Sequence, residues 1–129
     1  MIGLDTNVLL RIFSSDDDAA QVSAAQKLLR DQSPVFIGPV VLAEFAWTLK
    51  QTYKLDRAAI HRRLQGVVQA PEFVVPFPEA TERAVELYGI GPADFADYLI
   101  AEMNLAAGCT TTVTFDRDAA KCPSFTSLD

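Results

Sequence analysis

Short apolar runs alternate with longer amphipathic stretches along this 129-residue chain, and this alternation restricts its fold more than any other feature. The runs that predict strands are residues 2–4, 34–38, 73–75, 109–114 and 125–127. Strands that alternate with helices are joined by right-handed crossovers into a parallel sheet, and the helices cover both of its faces. The pattern predicts a three-layer α/β fold, and the length predicts one domain over residues 1–129.

The segments between these runs predict helices. They cover residues 6–13, about 14–30, 39–53, 56–70, 78–88 and 92–107. Asp5 or Thr6 is expected to cap the first helix, and the three acids at residues 16–18 complement the dipole at the start of the second. Gly89 and Gly108 are expected to end the last two helices.

The charge is distributed unevenly along the chain. The net charge is −6, which argues against a protein that coats nucleic acid by charge alone. Residues 50–63, which we call the basic stretch, nevertheless carry five cations and a single acid. The net charge of this stretch is +4, so that of the remainder is −10. The basic stretch is either a solvated helix face or a surface that binds the phosphates of RNA. The cations are Lys50, Lys54, Arg57, Arg62 and Arg63.

Two cysteines, Cys109 and Cys122, are too few for a disulfide scaffold and lack the spacing of a zinc site. They are expected to be reduced thiols of a cytoplasmic protein. No signal peptide is recognised, and no apolar run approaches the roughly 20 residues of a membrane helix. The single histidine, His61, lies in a helix among arginines and is expected at the surface rather than in catalysis.

Acidic residues follow two of the predicted strands. Asp5 comes directly after the first strand, and Asp116 comes directly after the fourth. Ligands of open parallel sheets bind at the carboxyl ends of the strands. If the first and fourth strands are neighbours, both carboxylates face one crevice. Glu44 is a third candidate, because it is the only acid in an otherwise apolar helical segment.

Asp94 and Asp97 lie in the first turn of a predicted helix. An acid three residues after another resembles a capping box, which is the structural alternative to a role in a site. At about 100° per residue, Asp97 is expected to point inward and Asp94 outward. This expectation takes the buried face to be Ala96, Leu99, Ile100 and Met103.

Convergence of Asp5, Glu44, Asp97 and Asp116 would be unfavourable without a cation. Two unit charges about 6 Å apart repel by roughly 3 kcal/mol at an effective dielectric constant of about 20. Oxygen ligands without histidine favour a hard divalent ion, Mg²⁺ or Mn²⁺. The carboxylates therefore predict a metal site.

Taken in order, these motifs resemble the PIN-domain family of metal-dependent ribonucleases, and more narrowly the VapC toxins of toxin–antitoxin pairs. The residues that carry the resemblance are Asp5-Thr6-Asn7-Val8-Leu9, Glu44, Asp94-Phe95-Ala96-Asp97-Tyr98-Leu99-Ile100-Ala101 and Thr114-Phe115-Asp116-Arg117-Asp118. The resemblance implies a five-stranded parallel sheet in the order 3-2-1-4-5. It also implies Mg²⁺ or Mn²⁺ held by acids that match Asp5, Glu44, Asp97 and Asp116. Asn7 and Thr114 match polar positions that orient those acids, and Asp94 and Asp118 are additional acids beside them.

The implied function is an endoribonuclease that hydrolyses RNA phosphodiester bonds. Asp5 and Asp97 are expected to bind the metal directly, and Glu44 and Asp116 directly or through water. The implied partners are RNA, a VapB-like antitoxin and a second copy of the chain. Two alternatives stay open. One is a phosphatase of haloacid-dehalogenase type with Asp5 as nucleophile, although its second acid would stand where Asn7 is. The other is a non-catalytic module that binds a basic peptide.

Overall fold

Helices and short strands alternate in the structure, a computed structural model that describes residues 1–15 and 18–129. The elements in chain order are α1 (Thr6–Ile12), α2 (Ala19–Gln32), β1 (Val35–Phe36), α3 (Pro39–Gln51), α4 (Arg57–Gln69), β2 (Phe73–Val74), α5 (Pro78–Ile90), α6 (Phe95–Ala106), β3 (Thr112–Thr114), α7 (Arg117–Ala120) and β4 (Phe125–Ser127). The α/β class is therefore confirmed. Asp16 and Asp17, expected at the start of the second helix, lie outside the described residues.

The strands pair in parallel, as the alternation predicts. β1 pairs with β2, and β3 pairs with β4. Residues 2–4, predicted as a strand, form a single bridge between Gly3 and Phe36 on the other edge of β1. The Leu4 N–H donates to the Phe36 carbonyl at 3.0 Å, and the Phe36 N–H donates to the Ile2 carbonyl at 2.8 Å.

The observed pairings correspond to two pieces of the expected sheet. One piece has the order β2, β1, residues 2–4, and the other is the pair β3–β4. No strand pairing joins these two pieces within residues 1–15 and 18–129. Strands of two or three residues offer few ladder hydrogen bonds. The continuous five-stranded order therefore stays a prediction.

Aspartates cap four of the helices by accepting hydrogen bonds from backbone N–H groups of the first turn. These groups have no partner within the helix, so each cap stabilises its helix by about 1 kcal/mol. The capping residues are Asp5 on α1, Asp18 on α2, Asp56 on α4 and Asp116 on α7. The expected cap of the first helix is thus Asp5 rather than Thr6.

Several predicted helix boundaries are wrong. Helix α2 begins at Ala19 instead of near residue 14. Gly89 does not end α5, which continues to Ile90 and has Gly91 as its C-cap. A Cβ atom on Gly89 would lie 2.7 Å from Nε2 of His61, so the missing side chain lets α4 and α5 approach. Helix α6 begins at Phe95 instead of residue 92. The four-residue helix α7 was not predicted, because so short a segment has no measurable periodicity.

The predicted buried face of α6 is also largely wrong, since only Leu99 of its four residues is fully buried. Ile100 is 51% exposed, whereas the buried residues are Phe95, Tyr98, Leu99 and Ala101. Helix α6 packs mainly on α5, where the ring of Tyr88 meets the edge of Phe95 at 6.0 Å between centroids. That neighbour, rather than the most apolar stripe of the helix, decides which face is buried.

One hydrophobic core joins the helices and strands. The ring of Phe13 lies 5.7 Å from that of Phe45 and 5.9 Å from that of Phe73, so α1, α3 and β2 meet there. Among the described residues, no helix has both the length and the apolar character needed to cross a bilayer.

Candidate active site

Four aspartates line one cavity of about 200 Å³ between the start of α6 and the turn that follows β3. We call this the acidic cavity. Its carboxylates belong to Asp94, Asp97, Asp116 and Asp118, and its wall also includes Lys50 and Arg57. Four formal negative charges against two positive ones give the cavity a net negative charge.

Asp97 is the half-buried carboxylate of the acidic cavity. Burial raises its pKa, and the negative charges of Asp116 and Asp94 raise it further. A backbone hydrogen bond from Asp94 opposes this rise. Asp97 is thus less exposed than Asp94, as expected, although the helical phase used to predict it is wrong. The carboxylate would gain from a nearby cation, because its charged form is disfavoured by both burial and repulsion.

Asp116 is held in place by the turn after β3. Its Oδ1 accepts hydrogen bonds from the N–H groups of Asp118 at 2.8 Å and Ala119 at 2.9 Å. Its own N–H donates to Oγ1 of Thr114 at 2.9 Å. Thr114 therefore fixes the backbone of this turn. Within the part of the chain that is described, Oδ2 accepts no hydrogen bond.

Asp94 and Asp118 each pair with a lysine. Nζ of Lys50 lies 3.0 Å from Oδ1 of Asp94, and Nζ of Lys121 lies 3.3 Å from Oδ1 of Asp118. Asp94 occupies the N-cap position of α6, but its side chain makes no capping hydrogen bond. The capping alternative is therefore wrong for this side chain. Exposed ion pairs of this kind contribute about 0–1 kcal/mol to stability.

Asp5 lines a second cavity, of about 470 Å³, which also contains Asn7, Arg11 and Gln21. Asp5 is exposed, and its Oδ1 accepts the capping hydrogen bond from the N–H of Val8 at 3.0 Å. Capping alone thus accounts for an acid at the end of the first predicted strand. Since the charge is solvated, it carries no large desolvation penalty.

Glu44 lies on the exposed side of α3. Its Oε1 accepts a hydrogen bond from the hydroxyl of Thr6 at 3.0 Å, which brings α3 next to the start of α1. Val40 and Trp47, one turn on either side, are 71% and 63% exposed. The apolar sequence around Glu44 therefore does not bury it. Trp47 also borders a small cavity shared with Lys50 and Asp94.

The structure brings together only part of the predicted carboxylate set. Asp97 and Asp116 share the acidic cavity, whereas Asp5 and Glu44 do not line it. Over the described ranges, no group of three or more His, Cys, Asp and Glu side chains is arranged around one point as metal ligands. The donor chemistry of the acidic cavity, carboxylate oxygens without sulfur or imidazole, fits a hard divalent cation.

The basic stretch divides into two groups. Lys50 pairs with Asp94, Arg57 donates to two backbone carbonyls, and Arg63 donates to the carbonyl of Phe13. Lys54 and Arg62, in contrast, are exposed. The intramolecular roles of Arg57 and Arg63 were missed by sequence reasoning, because their partners are 31 to 50 residues away in the chain.

His61 lies away from the acidic cavity, in a cleft of about 430 Å³ between α4 and α5. It is half-buried rather than at the surface. Its Nε2 is buried and, within the described residues, has no hydrogen-bond partner. The ring packs on Gly89, and this contact explains why that glycine lies inside a helix.

The family model described as PIN domain matches residues 2–123, which include every carboxylate considered above. No curated protein matches the chain.

Proposed function

The chain belongs to the PIN domain family, and on that premise we propose that it is a metal-dependent endoribonuclease acting as the toxin of a toxin–antitoxin pair. PIN domains are usually metal-dependent nucleases, and the match favours neither the phosphatase nor the peptide-binding alternative. The proposal covers residues 1–129 as one nuclease domain with the sheet order 3-2-1-4-5.

One observation carries the proposal: half-buried Asp97 lies beside Asp116 in a cavity of four aspartates. Repulsion between these carboxylates is relieved when a cation binds, and carboxylate oxygens select Mg²⁺ or Mn²⁺. We propose Asp97 and Asp5 as direct ligands, with Glu44 and Asp116 binding directly or through water. Asp5 and Glu44 are exposed, so their side chains can turn without breaking the core.

Each residue of the proposed site has its own role in hydrolysis. The divalent ion, when bound, supplies Lewis-acid stabilisation of the charge that develops on the phosphate. Glu44 or Asp116 accepts the proton of the attacking water. Thr114 and Asn7 orient the carboxylates, and Asp94 and Asp118 add negative charge at the rim. The water oxygen forms a new bond to phosphorus as one P–O bond of the RNA backbone breaks, and the leaving oxygen takes up a proton to become a hydroxyl.

Partners follow from the charge of the acidic cavity and from the resemblance. Lys54 and Arg62 are exposed and available to bind RNA phosphates. A VapB-like antitoxin would insert a basic side chain among the aspartates, and the toxin would act as a homodimer. The thiols of Cys109 and Cys122 are free, as expected of a protein in the reducing cytoplasm.

Cleavage of RNA by the purified chain tests the proposal. We expect cleavage with Mg²⁺ or Mn²⁺, none with EDTA, and cleavage that is lower by roughly 100-fold or more from Asp97→Asn. Asp31→Asn is the matched control, because Asp31 is an exposed aspartate paired with Lys27 on α2. Expression in cells should arrest growth for the wild type and Asp31→Asn, and not for Asp97→Asn. Soluble wild-type protein that neither cleaves RNA nor arrests growth would refute the proposal.

A further inference from the structure

In the loop between α5 and α6, Ala93 is 1% exposed, and both of its backbone polar groups pair with side chains. Its N–H donates to Oη of Tyr98 at 3.3 Å, and its carbonyl accepts from Nη2 of Arg57 at 2.5 Å. Buried backbone groups must be paired, so removal of either side chain leaves one without a partner. The next residue is Asp94, which begins the acidic cavity.

Arg57 joins three parts of the chain through one guanidinium group. Besides Ala93, it donates from Nε to the carbonyl of Tyr88 at 2.9 Å, in the last turn of α5. Its Cζ lies 3.9 Å from the centroid of the Tyr88 ring. Two hydrogen bonds and a cation–π contact use the planar fork of arginine, which a lysine ammonium cannot reproduce. A guanidinium held in this way is not free to follow an RNA backbone.

Tyr98 connects the same loop to the other side of the acidic cavity. Its hydroxyl accepts a hydrogen bond from Sγ of Cys122, which follows α7. A Cβ atom on Gly91 would overlap this hydroxyl, so glycine is required there. The loop is therefore fixed both to α6, which carries Asp97, and to the segment whose helix Asp116 caps.

We propose that Arg57 is a positioning residue for RNA hydrolysis, holding the Ala93 peptide so that Asp94 and Asp97 keep their spacing to Asp116. This inference rests on the nuclease function proposed above. It removes Arg57 from the residues expected to bind RNA and leaves Arg62, on the same helix, in that role. The two arginines should then affect different steps.

The test compares Arg57→Lys with Arg62→Ala in the full chain. Arg57→Lys keeps the positive charge but loses the planar guanidinium that donates to two carbonyls at once. It should lower kcat by about 100-fold, the loss expected from a misplacement of about 1 Å, with KM for RNA and its salt dependence unchanged. Mn²⁺ affinity, measured by calorimetry without RNA, should fall roughly tenfold, as for other residues that orient metal ligands. Arg62→Ala should raise KM and leave kcat and Mn²⁺ affinity unchanged.

An Arg57→Lys variant with wild-type kcat and Mn²⁺ affinity would overturn the inference, as would a raised KM with a weaker salt dependence. If this variant does not fold, Tyr98→Phe decides: it should lower kcat and Mn²⁺ affinity at constant KM, and no change would overturn the inference.

If the wild type binds Mn²⁺ but does not cleave RNA, the nuclease proposal fails, while a lower Mn²⁺ affinity of Arg57→Lys still supports the positioning role. A wild type that binds no Mn²⁺ overturns both.

Discussion

The acidic cavity and the two N-terminal acids, Asp5 and Glu44, use the same functional group in opposite surroundings. In the cavity, Asp97 is half-buried and repelled by Asp116 and Asp94. Asp5 and Glu44 are exposed and accept hydrogen bonds from neutral donors, the Val8 N–H and the Thr6 hydroxyl. An exposed carboxylate with neutral hydrogen-bond donors has less repulsion for a cation to relieve. One that is both buried and repelled gains most, so the cavity is where a metal should have its largest effect.

Asp97→Asn should give the largest effect on activity and the opposite effect on stability. We expect RNA cleavage to fall by roughly 100-fold or more, because the cation that Asp97 would hold supplies the stabilisation of transition-state charge. The metal-free protein should unfold at the same or a higher temperature, because a like charge has been removed. Asp5→Asn should leave the metal-free melting temperature unchanged, since asparagine caps helices as well as aspartate. A metal-free Asp97→Asn that melts far below the wild type would contradict the comparison.

Metal binding should stabilise the wild type by relieving repulsion in the acidic cavity. At a metal concentration about 100 times Kd, the expected gain in unfolding free energy is about 2.7 kcal/mol. Thermal melting in millimolar Mg²⁺ or Mn²⁺ against EDTA measures it. The increment should shrink in Asp97→Asn and Asp5→Asn and persist in Asp31→Asn. A wild-type melting temperature that is the same at every metal concentration would count against a metal site in either region.

Asp94 should behave as an intermediate case, because it lines the cavity but is exposed and paired with Lys50. Asp94→Asn should change the unfolding free energy by less than about 1 kcal/mol and remove a moderate part of the cleavage rate. Lys50→Ala, which removes the other partner of the ion pair, should also change the unfolding free energy by less than about 1 kcal/mol. Cleavage rates at saturating Mn²⁺ compare Asp94→Asn with Asp97→Asn. An inactive Asp94→Asn beside an active Asp97→Asn would reverse the assignment of the ligand.

The smallest expected effect concerns the exposed cations. Arg62→Ala should weaken RNA binding several-fold. It should also lower the salt dependence of log K by about 0.7 for each phosphate of single-stranded RNA that the arginine neutralises in the wild type. Arg63 is unsuitable for this test, because it donates to the Phe13 carbonyl. Titrations of RNA binding at several salt concentrations give the slope. An unchanged slope would mean that Arg62 belongs to a solvated helix face.

Local signals in the sequence predicted most of the elements but not how they meet. Asp5, at the start of α1, follows the rules of helix capping, and these depend only on neighbouring residues. Ile100 was misassigned, because its exposure depends on how α6 packs on α5. The alternation of strands and helices indicated the α/β class, yet residues 2–4 make only one bridge.

The candidate site was predictable to the same extent. Asp97 was identified from its place in the first turn of a predicted helix, and Asp116 from its place after a strand. The two share a cavity. The role of Arg57 was not predicted, because the residue it contacts, Ala93, lies 36 residues away in the chain. Charge composition favours a surface role for any arginine in a basic stretch. Only the packing of α4 against the end of α5 distinguishes Arg57 from Arg62.

The exposed indole of Trp47 makes the region between α3 and α6 optically observable. The chain has a single tryptophan, and this one borders the cavity that contains Lys50 and Asp94. Its fluorescence should be red-shifted and readily quenched by acrylamide in the free protein, because the ring faces water. Any event that covers α3 should shift the emission to the blue and slow the quenching, without a label and without interference from a second indole.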